Sequence, residues 1–334
     1  MKKRLLFVLI VSIMTTIFPA TSLAENPTKP VLYNAVITTR YAKSTTFVYD
    51  EMDIESEKIT SYKPKKRVQV VNVYPNWVEI NLESGTGYVL RHRVDAFRSV
   101  DPKTIPPFGV EKYTYYTVIS QDTNVLDAPS EKGEVLSSLT KGAKIAFIGV
   151  ENGWAKLIYH RQYAWVDTRK LDSLYPIQND PNTATTQWPL AAFTSFYNTI
   201  PNRIVNLKIC CERMTRVMQV GERLDFNGQV GPFKKALGYL PAPIISKTAD
   251  NGYGGGSCQV SSSLHNTVLQ LPGITVVTRW PHGNNGASYL PHGTDASSGA
   301  LNYVIENNYP FPIRIEASCH DYALYVAIYK ADVE

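Results

Sequence analysis

Shifting the sequence by 77 residues lays one stretch of the N-terminal half on another without a gap, and this internal repeat constrains the fold more than any other feature. Val48 falls on Val125, Val68 on Ile145, Trp77 on Trp154, Val78 on Ala155, Ile80 on Leu157, Tyr88 on Trp165 and Val89 on Val166. Inside each copy the apolar residues alternate in short runs, as in Val68-x-Val70 and Ile145-x-Phe147, and turn formers such as Asn76 or Asn152-Gly153 separate them. A period of two sends successive side chains to opposite faces, so these runs predict short strands of a small barrel or sandwich. Trp77 and Trp154 are expected to pack the cores, because an indole brings a large apolar area to a small module.

Two proline-rich polar stretches, Val100 to Gly109 and Pro176 to Thr186, lack an apolar period and read as linkers on either side of the second copy. A third unit then runs from near Trp188 to the C-terminus, in keeping with about 100 to 200 residues per domain. At the other end, Lys2, Lys3 and Arg4 precede an apolar run from Leu5 to Phe18 and a small-residue site at Ser22-Leu23-Ala24. That pattern predicts a signal peptide over 1–24, since the run is shorter than the roughly 20 residues of a membrane span. The formal charge is only +5, and cleavage would remove three basic residues. Such a balance argues against nucleic acid as a partner and, after cleavage, against a membrane surface. A secreted, extracytoplasmic monomer is expected. Export would place Cys210, Cys211, Cys258 and Cys319 where disulfides form, but four cysteines are too few for a disulfide scaffold.

In the third unit Ile204, Leu207, Cys211, Met214 and Val217 recur at spacings of three and four, which predicts one amphipathic helix within Asn198 to Val220. Cys210 and Cys211 read as small buried packers, and any bridge from them would reach Cys319. The stretch Gly252-Tyr253-Gly254-Gly255-Gly256-Ser257-Cys258-Gln259-Val260 is more informative, because Val260, Leu264 and Val268 then repeat every four residues up to Leu271-Pro272-Gly273. Cys258 is thereby placed at a helix N-terminus, where unpaired N–H groups and partial positive charge favour thiolate and can hold an oxyanion. The loop lacks the lysine of a nucleotide loop, and no cofactor is expected. A nucleophilic cysteine needs a base and a group to orient it, and His282 and Asp295 downstream complete a Cys/His/Asp set. His265, His282, His292 and His320 show no metal-ligand spacing, so no metal is expected.

The two copies, over residues 31–98 and 113–173, resemble the bacterial SH3-like module, with a central tryptophan and a late Gly87-Tyr88-Val89 or Ala164-Trp165-Val166. The third unit resembles the VanW family through Gly221-Glu222-x-x-Asp225-Phe226-Asn227, Val230-Gly231-Pro232, the Gly-Gly-Gly-x-Cys-Gln-Val-Ser-Ser core ending at Ser262, Arg279-x-x-His282 and Tyr289-x-Pro291-x-Gly293-x-Asp295-Ala296. The fold expected is multidomain: two small all-β SH3-like barrels followed by an α+β VanW domain over 188–334. The resemblance implies a cell-wall L,D-transpeptidase that crosslinks peptidoglycan stem peptides through a thioester on Cys258. It also points to His282, not His292, as the base. The sequence departs from the family pattern at Ser257, His265, Gly283 and Ser297-Ser298.

Around Cys258 the substrate-binding candidates are Gly255, Gly256, Gln259, Arg279 and Tyr289. Backbone N–H groups from Gly256 to Gln259 would hold the oxyanion. Arg279 reads as a carboxylate clamp or as an ion-pair partner, Asp295 as the residue that orients His282 or as a turn former, and Tyr289 as a contact or as packing. Two other functions fit the same residues. An NlpC-type cysteine endopeptidase would use water as acceptor, although its Asp-Cys-Ser-Gly signature is missing, and a non-catalytic wall-binding protein would use the loop to hold an anion.

Overall fold

The computed structural model describes residues 38–74, 76–82, 85–94, 112–244, 249–282, 286–291 and 294–332. The expected signal peptide, the first linker, His292 and the C-terminal dipeptide fall outside the described residues.

The first copy forms β1 (Thr38–Tyr41), β2 (Thr46–Tyr49), β3 (Lys58–Tyr62), β4 (Arg67–Val73), β5 (Trp77–Leu82) and β6 (Gly85–Leu90). The second forms β7 (Tyr115–Val118), β8 (Thr123–Leu126), β9 (Val135–Leu139), β10 (Lys144–Phe147), β11 (Gly149–Glu151), β12 (Trp154–Tyr159) and β13 (Gln162–Asp167), followed by β14 (Tyr175–Pro176). The sequence repeat is thus a structural one. The strands β1, β2, β3, β5 and β6 reappear 77 residues on as β7, β8, β9, β12 and β13, and β4 reappears as β10 and β11, interrupted at Ile148. Val48 and Val125, Val68 and Ile145, and Ile80 and Leu157 hold equivalent core places.

The expectation of closed barrels is corrected, because both copies are open sheets. The first is a six-stranded sheet in the order β1-β4-β5-β6-β2-β3, with free edges at β1 and β3, and β2 meets β6 only at the pair Tyr49 and Tyr88. The second divides into β11-β12-β13-β8-β9 and β10-β7-β14, since β14 takes the edge of β7 that closure would need. Trp77 and Trp154 are half-buried, with Trp77 edge-on to Tyr49 at 5.5 Å.

The remainder comprises β15 (Pro189–Phe196), α1 (Pro201–Met214), β16 (Arg216–Met218), β17 (Arg223–Asp225), α2 (Phe226–Val230), β18 (Pro241–Pro243), β19 (Asn251–Tyr253), α3 (Ser257–Val268), β20 (Ile274–Thr278), β21 (Val304–Asn307), β22 (Ile313–His320) and β23 (Ala323–Lys330). An antiparallel sheet β15-β23-β22-β16 carries α3 on β15 and β23 and α1 on β22. The helix expected up to Val220 stops at Met214: Thr215 caps it through its hydroxyl to the Cys211 carbonyl at 3.0 Å, and Arg216 to Met218 pair with β22 instead. Cys210 and Cys211 are free thiols in the core beside Leu207 and Met214.

All eight residues of β15 are buried, because the strand is covered on both faces. Ser195 meets Ser263 of α3 at 2.8 Å, while the neighbouring Thr194 hydroxyl accepts from the Ala146 N–H of β10 at 2.9 Å. A sheet with only one packed face would expose every second residue. Here Ala192, Phe193, Tyr325 and Tyr329 share one core with Tyr113, Ala146 and Ile158 of the second copy, and Phe196 joins that copy's other core. The boundary expected near Trp188 is therefore bridged by continuous packing. Within the expected linker, Ile177 enters the shared core and the Gln178 N–H donates to the Pro189 carbonyl at 2.8 Å. The described residues from Thr38 to Asp332 all belong to one compact unit.

Candidate active site

The glycine run ahead of α3 folds as successive tight turns, with N–H donation from Gly255 to Gly252, from Ser257 to Gly254 and from Gln259 to Gly256. A side chain at Gly255 would strike the Ala242 carbonyl oxygen. Gly256 caps the helix at φ 113°, in left-handed space that disfavours any Cβ. Committing those N–H groups leaves Gly256 and Cys258 as the loop's candidate oxyanion donors, a narrower set than the whole run from Gly256 to Gln259.

Two adjacent serines explain how distant residues reach Cys258. Ser261 and Ser262 of α3 donate to the Ala296 carbonyl at 2.6 and 3.1 Å, and the Ala296 N–H returns a bond to the Ser262 hydroxyl at 2.9 Å. Asn266, one turn further on, donates to the Thr294 carbonyl at 2.8 Å. Small side chains permit this close approach, and each buried polar atom bonded this way avoids a desolvation cost of about 1–3 kcal/mol. The strip from Thr294 to Ser298 is stitched along α3, which lays Asp295 and Ser298 beside the helix's first turn.

The Asp295 carboxylate is buried and accepts from His282 twice at one oxygen, from the backbone N–H and from Nδ1, each at 2.6 Å. Its other oxygen lies 3.5 Å from Arg279 Nη2, and Arg279 Nε donates to the Asp295 carbonyl at 2.7 Å. Burial alone would raise the Asp295 pKa, but hydrogen bonding from His282 and the charge of Arg279 bring it down to about 2. For His282 burial works toward the neutral ring, yet hydrogen bonding to Asp295 and Cys258 pushes its pKa up to about 10. Nδ1 is engaged by the carboxylate, which leaves Nε2 for the thiol.

Cys258 obeys the same balance: burial would raise its pKa, and the hydrogen bond and charge of His282, with donation from Ser298, hold it below the ordinary thiol value. The Ser298 N–H reaches Sγ at 3.4 Å and its hydroxyl reaches Sγ at 3.6 Å. Both shifts move the pair toward imidazolium and thiolate, backed by a buried carboxylate.

The thiol opens into a cleft of about 720 Å³ whose lining includes Gly255, Gly256, Gln259 and Tyr289. Gln259 does not offer its side chain there: Nε2 donates to Ser195 Oγ at 3.0 Å and to the Phe196 carbonyl at 2.8 Å, and Oε1 accepts from Arg203 at 2.7 Å. Tyr289 lines the cleft and also packs on the core shared with the second copy. Arg279 is corrected as a substrate contact, because its side chain is 2% exposed and is spent on Asp295. His265 is likewise buried away from the cleft, against the Tyr303 hydroxyl at 3.0 Å. Two residues that sequence reasoning missed line the cleft: Arg203 from α1 and His160 from the turn between β12 and β13. Neither had a clear signal in one dimension: Arg203 stands four residues before Leu207, on the buried face of its helix, where a charge reads only as a break in the apolar stripe, and His160 stands alone in a hairpin.

Residues 202–329 match the VanW like protein family model. That VanW-like segment holds Arg203, Cys258, His282 and Asp295. An uncharacterized protein, YoaR of Bacillus subtilis strain 168, is 33% identical over 149 residues, covering 43% of this chain and 48% of the relative. The chain thus spans about half the length of that relative, and the VanW-like match is to its C-terminal part. Among solved structures, NlpC1 from Trichomonas vaginalis is 10% identical, with 89% of this chain and 93% of that one covered at a TM-score of 0.18. An NlpC/P60 family protein from Bacillus cereus ATCC 10987 is 11% identical, with 89% and 95% covered, also at 0.18. Similarity at that level carries no inference about fold or chemistry.

Proposed function

We propose that this chain is an exported cysteine acyltransferase of the cell wall, an L,D-transpeptidase that joins peptidoglycan stem peptides through a thioester on Cys258. The observation that carries the reading is the ordered set in which Cys258 and His282 line a sizeable cleft and buried Asp295 backs His282. Thiolate attack on a stem-peptide carbonyl forms the C–S bond and an oxyanion facing the Gly256 and Cys258 N–H groups. Each such donor is typically worth about 3–4 kcal/mol in the transition state. Collapse breaks the C–N bond, and His282 gives its proton to the departing amine. The amine of a second stem then attacks the thioester, His282 accepts a proton from it, and the thiolate leaves.

The VanW-like match supports the cell-wall setting, and the SH3-like resemblance of the two N-terminal copies would suit wall binding. Water in place of the second amine would make the same site a hydrolase, and a site that only binds would form no adduct. Intact-protein mass after incubation with purified tetrapeptide muropeptides decides among these. A mass increase equal to the acyl part, absent in Cys258→Ala, is the expected result, and crosslinked product distinguishes transfer from hydrolysis. No adduct under any acceptor condition sinks the enzyme reading.

A further inference from the structure

The cleft is unbalanced in charge. Arg203 and His282 bring positive charge to its lining, and no aspartate or glutamate lines it among the described residues. Arg203 is held in place on both sides. Its stem lies across Gly256, where an added Cβ would sit 3.2 Å from Arg203 Cγ, and its Nη2 is fixed by the Gln259 amide at 2.7 Å. Gln259 cannot rotate away, because its Nε2 is already bonded to Ser195 and Phe196. The two residues that seat this guanidinium therefore flank Ser257 and Cys258 in the chain. Among the described residues Arg203 makes no ion pair, in contrast to Arg279, whose charge is spent on Asp295. Its charge is felt at Tyr289, another residue of the cleft lining.

A planar fork with one N–H committed and others free is suited to bidentate capture of a carboxylate. We propose that Arg203 is the specificity residue of the donor site, binding the free terminal carboxylate of a peptide whose scissile carbonyl lies at Cys258. This rests on the acyl-transfer reading and sharpens it: the leaving group is a single amino acid carrying that carboxylate. A peptide amidated or extended at its C-terminus is then a poor donor. Apolar walls from Phe233 and Ile244 accommodate the uncharged part of the chain.

The test has two arms. In the first, Cys258 is alkylated with iodoacetate and with iodoacetamide, which share a mechanism and differ in charge, and the ratio of rates is compared between the wild type, Arg203→Gln and Arg203→Lys. Loss of a charge-assisted contact predicts a fall in the iodoacetate-to-iodoacetamide ratio of about tenfold in Arg203→Gln, with Arg203→Lys retaining most of it. An unchanged ratio in folded Arg203→Gln overturns the proposal. In the second arm, adduct formation is followed with a stem tetrapeptide bearing a free or an amidated C-terminus. Wild type should prefer the free acid and Arg203→Gln should not discriminate; equal discrimination by both also overturns it. If neither peptide acylates the wild type, the acyl-transfer reading fails, while the alkylation ratio still decides whether Arg203 recognises the anion.

Discussion

At Cys258 burial and pairing pull in opposite directions, and the outcome sets the chemistry. Burial favours the neutral thiol, whereas His282 and Ser298 favour the thiolate and prevail. Alkylation should accordingly stay fast below the pH at which an ordinary thiol of pKa about 8.5 becomes unreactive. In His282→Ala only burial and the weaker Ser298 contacts remain, so the rate profile should move to higher pH, measured by stopped alkylation and mass spectrometry. Asp295→Asn acts one step back: it removes the carboxylate that raises the His282 pKa, so the imidazolium is lost at a lower pH than about 10 and the upper limb of the activity profile shifts downward. The sequence made these three residues legible because a glycine loop into a helix and a late histidine and aspartate are chemically specific types. It could not assign Arg279, since only the fold decides whether an arginine faces a cleft or a buried carboxylate.

Helix α3 is the element on which the site depends, and its polar residues serve the fold as much as the chemistry. Periodicity of Val260, Leu264 and Val268 predicts the helix, and it forms as Ser257–Val268. Periodicity is silent about Ser261, Ser262 and Asn266, whose partners at Ala296 and Thr294 lie on a segment with no regular structure of its own. Ser262→Ala strands the buried Ala296 N–H and should cost about 1–3 kcal/mol in denaturant unfolding. Because the same strip carries Asp295 and Ser298, Cys258 alkylation in that variant should also slow. Normal reactivity at wild-type stability would show that the strip is held by something else. Helix α1 illustrates the opposite limit of sequence reasoning: its stripe continues in register through Val217, but pairing of β16 with β22 overrides the last turn.

Across the whole molecule, the second copy is a wall of the C-terminal core and not a tethered module. The repeat was readable because each copy carries its own alternation, but residues that face outward in one copy can face a neighbour in the folded chain, and alternation does not say which. Beginning the chain at Thr186 would strip the cover from Phe193, Phe196, Tyr325 and Tyr329. Burial of a large apolar side chain is worth about 1.5–3 kcal/mol, so four of them rival the whole net stability of about 5–15 kcal/mol. Such a fragment should therefore aggregate or melt far below the chain from Lys112 onward, as scanning calorimetry would read. The copy also reaches the cleft directly through His160, held in left-handed backbone at φ 56° and stacked on Tyr159 at 4.0 Å. Burial lowers the pKa of that ring, so it faces the cleft neutral at pH 7. His160→Ala should leave the iodoacetamide rate at Cys258 unchanged while raising KM for a muropeptide several-fold, by about 1 kcal/mol of lost contact. A matching fall in the alkylation rate would instead mean that the second copy holds the catalytic groups in place and contributes no surface to the substrate.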